Sequence, residues 1–476
     1  MALRKIVLHT PESDPAGLRA RFAAIRVELE VPGDFPPEVQ AEAERVAAQP
    51  PALPERDETA MPCVTIDPPG SMDLDQALHL ERAGEGYRVR YAIADVPAFV
   101  VAGGAIDAEA RRRGQTIYVP DGRAPLHPPV LSEGAASLLP DQVRPAFVWD
   151  LGLDADGEVT SVEVYRARVR STARLDYVGV QRDIDAGTAP EVLQLLKEVG
   201  EKRIHLEAAR GGANLPMPEQ EVEERPDGSF ALAYRPLVPC EEWNAQISLM
   251  TGMAAAEMMI HGGVGILRTM PAPDSQAISR FRRIARALGV EWPVEERYGD
   301  LLRRLDRDDP RQLALIHQAT ALFRGAGYTP FEGDVPEQPE HAAVAAVYAH
   351  VTAPLRRLID RFGLVVCEAL SSGAEVPSWV REALPTLPEI MRASDKQAGA
   401  VERACADALE AAVLGSRVGE TFAGTVVDQA KGNVTVVIQD PAVVARADGS
   451  AELGAQVQVR VVSADVATSN VRLQVL

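Results

Sequence analysis

From Thr65 to Ala77 the chain reads Thr-Ile-Asp-Pro-Pro-Gly-Ser-Met-Asp-Leu-Asp-Gln-Ala, and no regular helix can run through it. Proline fixes φ and lacks an N–H, and glycine admits angles closed to other residues. Pro68, Pro69 and Gly70 therefore force a turn. The apolar run from Cys63 to Ile66 reads as the strand entering that turn. Three carboxylates, Asp67, Asp73 and Asp75, fall within nine residues. In an extended segment Asp73 and Asp75 share a face, and the turn can swing Asp67 round to meet them. Converging carboxylates in a partly desolvated site repel one another unless a cation joins them. Hard oxygen donors favour Mg²⁺, with Mn²⁺ as a substitute. An EF-hand calcium loop fails, because Leu78 stands where that loop needs glycine and Gly84 where it needs glutamate. On spacing alone, a solvated acidic turn remains the plain alternative.

At 476 residues the chain is long for one domain, and two or three are expected. Cys63, Cys240, Cys367 and Cys405 are scattered with no CxxC pair, so they read as buried thiols of a reducing, cytoplasmic setting. The first residues carry charge early and too short an apolar run for a signal peptide, and no membrane partner is expected. A net charge of −20 argues against broad adhesion to nucleic acid. A nucleic-acid substrate in a channel would instead need local arginines, and Arg111–Arg113, Arg168/Arg170/Arg174 and Arg356/Arg357/Arg361 are clustered. For any one cluster, a solvated helix face is the plainer reading.

Residues 1 to 56 form a leading unit with helical spacing over Pro15–Leu29 and Pro36–Ala48, then a stiff proline-rich linker. A docking helix pair is the plainer reading of it and a helix-turn-helix RNA-binding unit the sharper one. Strands dominate from 57 to 175, with a hairpin turn at Asp154-Ala-Asp-Gly157. Helices then take over, including a run from Asn244 to Met259 that is apolar on most faces and, much later, the alanine-rich stretch Ser394–Leu414. After Gly415 four runs alternate at period two within about 60 residues, which suits a small OB-type barrel. No oligomerisation signal stands out, and a monomer is expected.

Seven segments in order resemble the RNB family, the exoribonucleases of the RNase II and RNase R kind. They are Thr65–Ala77, Tyr91-Ala-Ile-Ala-Asp95, the stretch from Asp107 through Leu139, Ser171–Tyr177, Glu241-Glu242, Tyr348–Asp360 and Val401-Glu402-Arg403. The closing barrel is similar to that family's S-one-type OB domain. The fold implied is α+β and multidomain: a mixed α/β catalytic domain over 57–415, then an all-β barrel over 416–476, behind the short helical unit.

The resemblance implies a metal-dependent, hydrolytic 3′→5′ exoribonuclease that releases 5′-mononucleotides from RNA with a free 3′ end, single-stranded or 3′-overhanging. It gives Asp67, Asp73, Asp75 and Gln76 to the metal, with Asp73, Asp75 and Arg356 as the catalytic residues. Tyr118 resembles the aromatic clamp on the RNA, and Tyr177 with Glu242 or Glu241 the readers of ribose hydroxyls. Arg356 and Arg357 belong to the arginine motif, and Glu402 resembles a glutamate at the exit of the 3′ nucleotide.

Three departures matter. Gln76 stands where the family carries a fourth aspartate, so the acidic set lacks one charge; the alternative function is a weakened RNB-like protein that binds RNA. Met217 stands near a family phenylalanine that stacks bases with the Tyr118-like clamp. The leading 56 residues are also too few for two cold-shock domains.

Overall fold

The computed structural model describes residues 6–9, 17–49, 51–215, 219–224, 230–235, 237–307 and 309–476. Met217 lies outside the described residues. Two closed five-stranded barrels organise the chain. The first is built from β1 (Cys63–Asp67), β2 (Gln76–Ala83), β3 (Gly86–Ala94), β4 (Val143–Leu153) and β5 (Val159–Asp176). Neighbours run antiparallel, and the barrel closes by a parallel pair of β1 with β5 in which Asp67 stands opposite Asp176. The second holds β6 (Thr421–Ala430), β7 (Asn433–Ile438), β8 (Val443–Asp448), β9 (Gln456–Asp465) and β10 (Asn470–Val475). Its order is β6-β7-β8-β10-β9, and its parallel pair is β8 with β10.

The Pro-Pro-Gly turn takes the form its residues dictate. The Ser71 N–H donates to the Pro68 carbonyl at 3.1 Å, and Gly70 adopts φ 81°. That is a type II turn with proline at its second position and glycine at its third, where a side chain would be strained. Asp73 and Asp75 follow in irregular chain, and β2 begins only at Gln76.

Both faces of the first barrel are covered. Val89, Tyr91 and Ile93 belong to one apolar core, whereas Ala92 and Ala94 belong to a second on the other side of the same strand. The long helix α5 (Pro239–Gly262) and α6 (Leu358–Ser372) supply much of the first core. Gly252 lets the segment before α6 lie close on α5, since a Cβ there would come within 2.1 Å of the Tyr348 ring. The four cysteines are buried free thiols.

The leading helices α1 (Leu18–Glu28) and α2 (Pro37–Ala48) do not share a core. Leu18, Phe22 and Ile25 of α1 pack with Val401 and Cys405 of α7 (Leu387–Gly415) and with Ile117 and Val119. Val39 and Ala43 of α2 pack with Phe99, Ile106 and the first barrel. Each helix is thus a buttress on a different part of the body built around the first barrel. Among the described residues no helix is long and apolar enough to cross a membrane.

Candidate active site

The site forms where the Pro-Pro-Gly turn meets the loop that precedes α6. Asp75 is 3% exposed, and its carboxylate accepts the Leu355 N–H at 2.7 Å. Arg356 Nε approaches the same carboxylate at 3.3 Å, with its side chain 46% exposed. A cation reaching into open space therefore stands on a buried acid. Burial pushes the Asp75 carboxyl up to about 8, against the pull of Arg356 and the Leu355 N–H, and Asp73 pushes it further up.

Backbone bonds hold this segment in place. The Ala94 N–H donates to the Asp75 carbonyl at 2.9 Å, and the Leu138 N–H to the Leu74 carbonyl at 3.1 Å. The Ser137 hydroxyl accepts the Leu74 N–H at 3.0 Å and donates to the Met72 carbonyl at 2.6 Å. On the other side, buried Asp360 accepts the Ala353 N–H at 2.7 Å and accepts from Nε and Nη2 of Arg357 at 2.8 Å each. The Thr116 N–H caps the Arg356 carbonyl at 2.9 Å.

Arg356 is the hub. Asp75, Tyr118 and Asp67 all act on its charge, and it acts in turn on Tyr177. Tyr118 lies on a short hairpin of Ile117–Val119 with Gly122–Ala124, and at 41% exposure its ring is open to a stacking partner. Tyr177 begins the helix capped by Asp176, which explains its nearness to Asp67 across the β1–β5 register. Burial raises the Tyr177 hydroxyl, with Asp67 adding to the effect, and Asn244 donates to that hydroxyl at 3.4 Å.

Other expected residues sit differently. Glu241 caps its own helix by accepting the Val238 N–H at 3.0 Å, and its charge is felt at Tyr177. Glu242 is turned away towards Glu207, Asn214, Arg303 and Arg307, and burial there raises its carboxyl. Arg357 is taken up by Asp360. Glu402, half-buried on α7, lies in a region shared with Cys405, Arg21, Arg26 and Asp121. Much of the arginine clusters is taken up in ion pairs within the chain: Arg113 and Arg361 hold Glu109 and Asp107 in the interior, while Arg112 holds Glu109 and Arg168 holds Asp57 at the surface.

Three contributors escaped sequence reasoning. Arg123 binds Asp73 at 2.7 Å and Glu133 at 2.7 Å. Its signal was Pro120-Asp121-Gly122, a turn that puts Arg123 across from Tyr118. Asn244 and Ser137 left none, because each hides in a segment whose pattern speaks only of packing.

Among the described residues no three acidic, histidine or cysteine side chains form a ready metal cage. The donors still suit a hard divalent ion, which is commonly held by one or two carboxylates together with water and substrate phosphate. Asp75 is buried at an electrostatic cost that an added cation would relieve. Gln76 donates its amide N–H to the Thr352 carbonyl, leaving only its amide oxygen for a metal.

Comparison with known proteins then decides the family. The model of the RNB domain matches residues 55–368, and that of the RNase II-type exonuclease C-terminal S1 domain matches residues 420–476. The chain belongs to the RNB family. It is 29% identical over 326 residues to ribonuclease R of Escherichia coli, a match covering 63% of this chain and 38% of that protein. The matches span between 33% and 64% of the length of such curated relatives. Among solved structures, Mycoplasma genitalium RNase R in complex with ribose-methylated single-stranded RNA superposes with TM-score 0.85 at 17% identity, covering 96% of this chain and 78% of that one. Yeast Ssd1, a pseudonuclease, superposes with TM-score 0.72 at 17% identity, covering 94% and 58%. The RNB fold followed by a closed barrel is therefore shared with members of both kinds.

Proposed function

We propose that this chain is a hydrolytic, metal-dependent 3′→5′ exoribonuclease that shortens RNA to 5′-mononucleotides. The observation that carries the reading is Arg356 standing half-exposed on buried Asp75, two residues 281 positions apart in the chain. Nothing in packing requires a cation there to face open space.

Asp67, Asp73 and Asp75, with the amide oxygen of Gln76, are the residues that would hold Mg²⁺ or Mn²⁺. When bound, such an ion polarises a phosphoryl oxygen and lowers the pKa of water. The chain's own residues do the rest. The planar fork of Arg356 binds the scissile phosphate and the charge that develops on it. Leu355 and Arg356 together keep Asp75 oriented, so that its position is set before substrate arrives. Tyr118 stacks on a base, fixing how far the strand advances. The Tyr177 hydroxyl, held by Asn244 and near Glu241, offers a partner for a ribose 2′-hydroxyl, the group that separates RNA from DNA.

A second reading is a protein that holds RNA without cutting it. Gln76 favours it, since its amide is tied to Thr352 and one negative charge is missing. One assay separates the two. Purified protein is given 3′-extended single-stranded RNA, its DNA counterpart and a 3′-blocked RNA, with Mg²⁺ and then with EDTA. Metal-dependent mononucleotides from the first substrate alone support the enzyme, and tight binding without products supports the second reading. Asp75→Asn is expected to bind RNA while losing about 10²–10³-fold in product release, the scale of removing one transition-state partner. Normal degradation by that variant would overturn the assignment. Gln76→Asp is expected to preserve or raise the rate a few-fold, and complete loss would show a role for the amide itself.

A further inference from the structure

Arg123 closes a charge chain that the three aspartates alone do not predict. One guanidinium arm lies 2.7 Å from the Asp73 carboxylate and another 2.7 Å from Glu133, and the arginine side chain is only 26% exposed. Asp73 is itself largely buried, at 13%, so little solvent dilutes the pairing. A fixed positive charge in contact with a prospective ligand opposes a divalent ion in two ways. It takes one lone pair of the carboxylate, and it repels the incoming charge. Gln76 compounds this effect by supplying no charge of its own.

We infer that Arg123 is a latch that holds down the affinity of Asp73 for a divalent cation in the absence of RNA. An incoming cation must displace that guanidinium towards Glu133 or share the carboxylate with it. Glu133 is then the counter-ion that draws Arg123 off. A substrate phosphate, by adding negative charge beside Asp73, would tip the same balance towards the ion. The inference rests on the reading of Asp73 as a metal ligand.

The test is Mn²⁺ titration of the full chain without RNA, read as free Mn²⁺ by electron paramagnetic resonance and as heat by calorimetry. Arg123→Met keeps the length of the side chain and removes its charge. It is expected to bind Mn²⁺ at least about tenfold more tightly than the natural protein, the scale of outer-shell changes at metal sites. Arg123→Lys should fall between them. Glu133→Gln leaves Arg123 to Asp73 alone and should weaken Mn²⁺ binding a few-fold, which keeps the inference testable should Arg123→Met not fold. Equal or weaker binding by Arg123→Met, or tighter binding by Glu133→Gln, overturns the inference alone. No Mn²⁺ uptake by any of these proteins overturns both the inference and the metal reading beneath it.

Discussion

The two barrels have the same number of strands and differ in how much of their outer face water reaches. In the first, residues facing both ways are buried: Phe147, Trp149 and Leu151 on one side of β4, Ala146 and Val148 on the other. In the second, Val434, Val436, Val459 and Val461 point inwards, while Arg446, Gln458, Arg460 and Arg472 face solvent. A barrel covered on both faces can hold an acid such as Asp75 at 3% exposure, where its charge is costly and its field is strong. The outer face of the second barrel is covered in part, where Val427 and Val437 pack with Phe281 and Leu315 and buried Glu410 accepts the Val444 N–H at 3.1 Å, and is otherwise wet. It can present a row of polar groups to a long, charged ligand, each worth little alone. Under the proposed function, chemistry falls to the first and adhesion to the second.

The largest effect on turnover that tests this division is expected from Arg356→Lys. An ammonium keeps the charge over Asp75 but loses the planar fork, so kcat/KM on single-stranded RNA should fall by about 10–100-fold. RNA affinity should change far less. If the two fell together, Arg356 would be a tether and the first barrel no more specialised than the second.

Tyr118→Ala should come next. Loss of one stacked base costs about 1–3 kcal/mol, a loss of roughly 5- to 150-fold in RNA affinity, with the length of the final product shifted. Denaturing gels that resolve the last few nucleotides read both. An unchanged product ladder would mean that the exposed ring is only a rim residue of its hairpin.

The same contrast explains how much could be read from the chain. Alternation at period two is visible only when one face of a strand is wet, so the C-terminal barrel stood out from sequence. The first barrel showed strands but no closure, because Ala92 and Ile93 are both buried and the pattern runs continuous. The turn at Pro68-Pro69-Gly70 was legible since its geometry belongs to the residues themselves. The neighbours of the aspartates were not. Asp73 meets Arg123 and Asp75 meets Leu355 through contacts 50 and 280 residues apart, which local pattern cannot carry. For the same reason Glu241 and Glu242 looked interchangeable, although successive helix positions point about 100° apart and the two face different neighbours.

The smallest expected effect lies on the wet face of the second barrel. Arg460 is exposed on β9, between Thr421 on one side and Gln474 on the other. Among the described residues no acid pairs with it, so Arg460→Ala should leave stability within about 0.5 kcal/mol. If that face tracks an RNA backbone, the variant gives up about one phosphate contact. The slope of log affinity against log salt should then become shallower by about 0.7, the value for one contact to a single strand. Cleavage of short RNA held wholly by the first barrel should not change. A salt slope identical to that of the natural protein would place the adhesive surface elsewhere, and a large drop in turnover on short RNA would break the division of labour outright, because a solvated arginine more than 100 residues from Arg356 in sequence would then be acting on the buried acid.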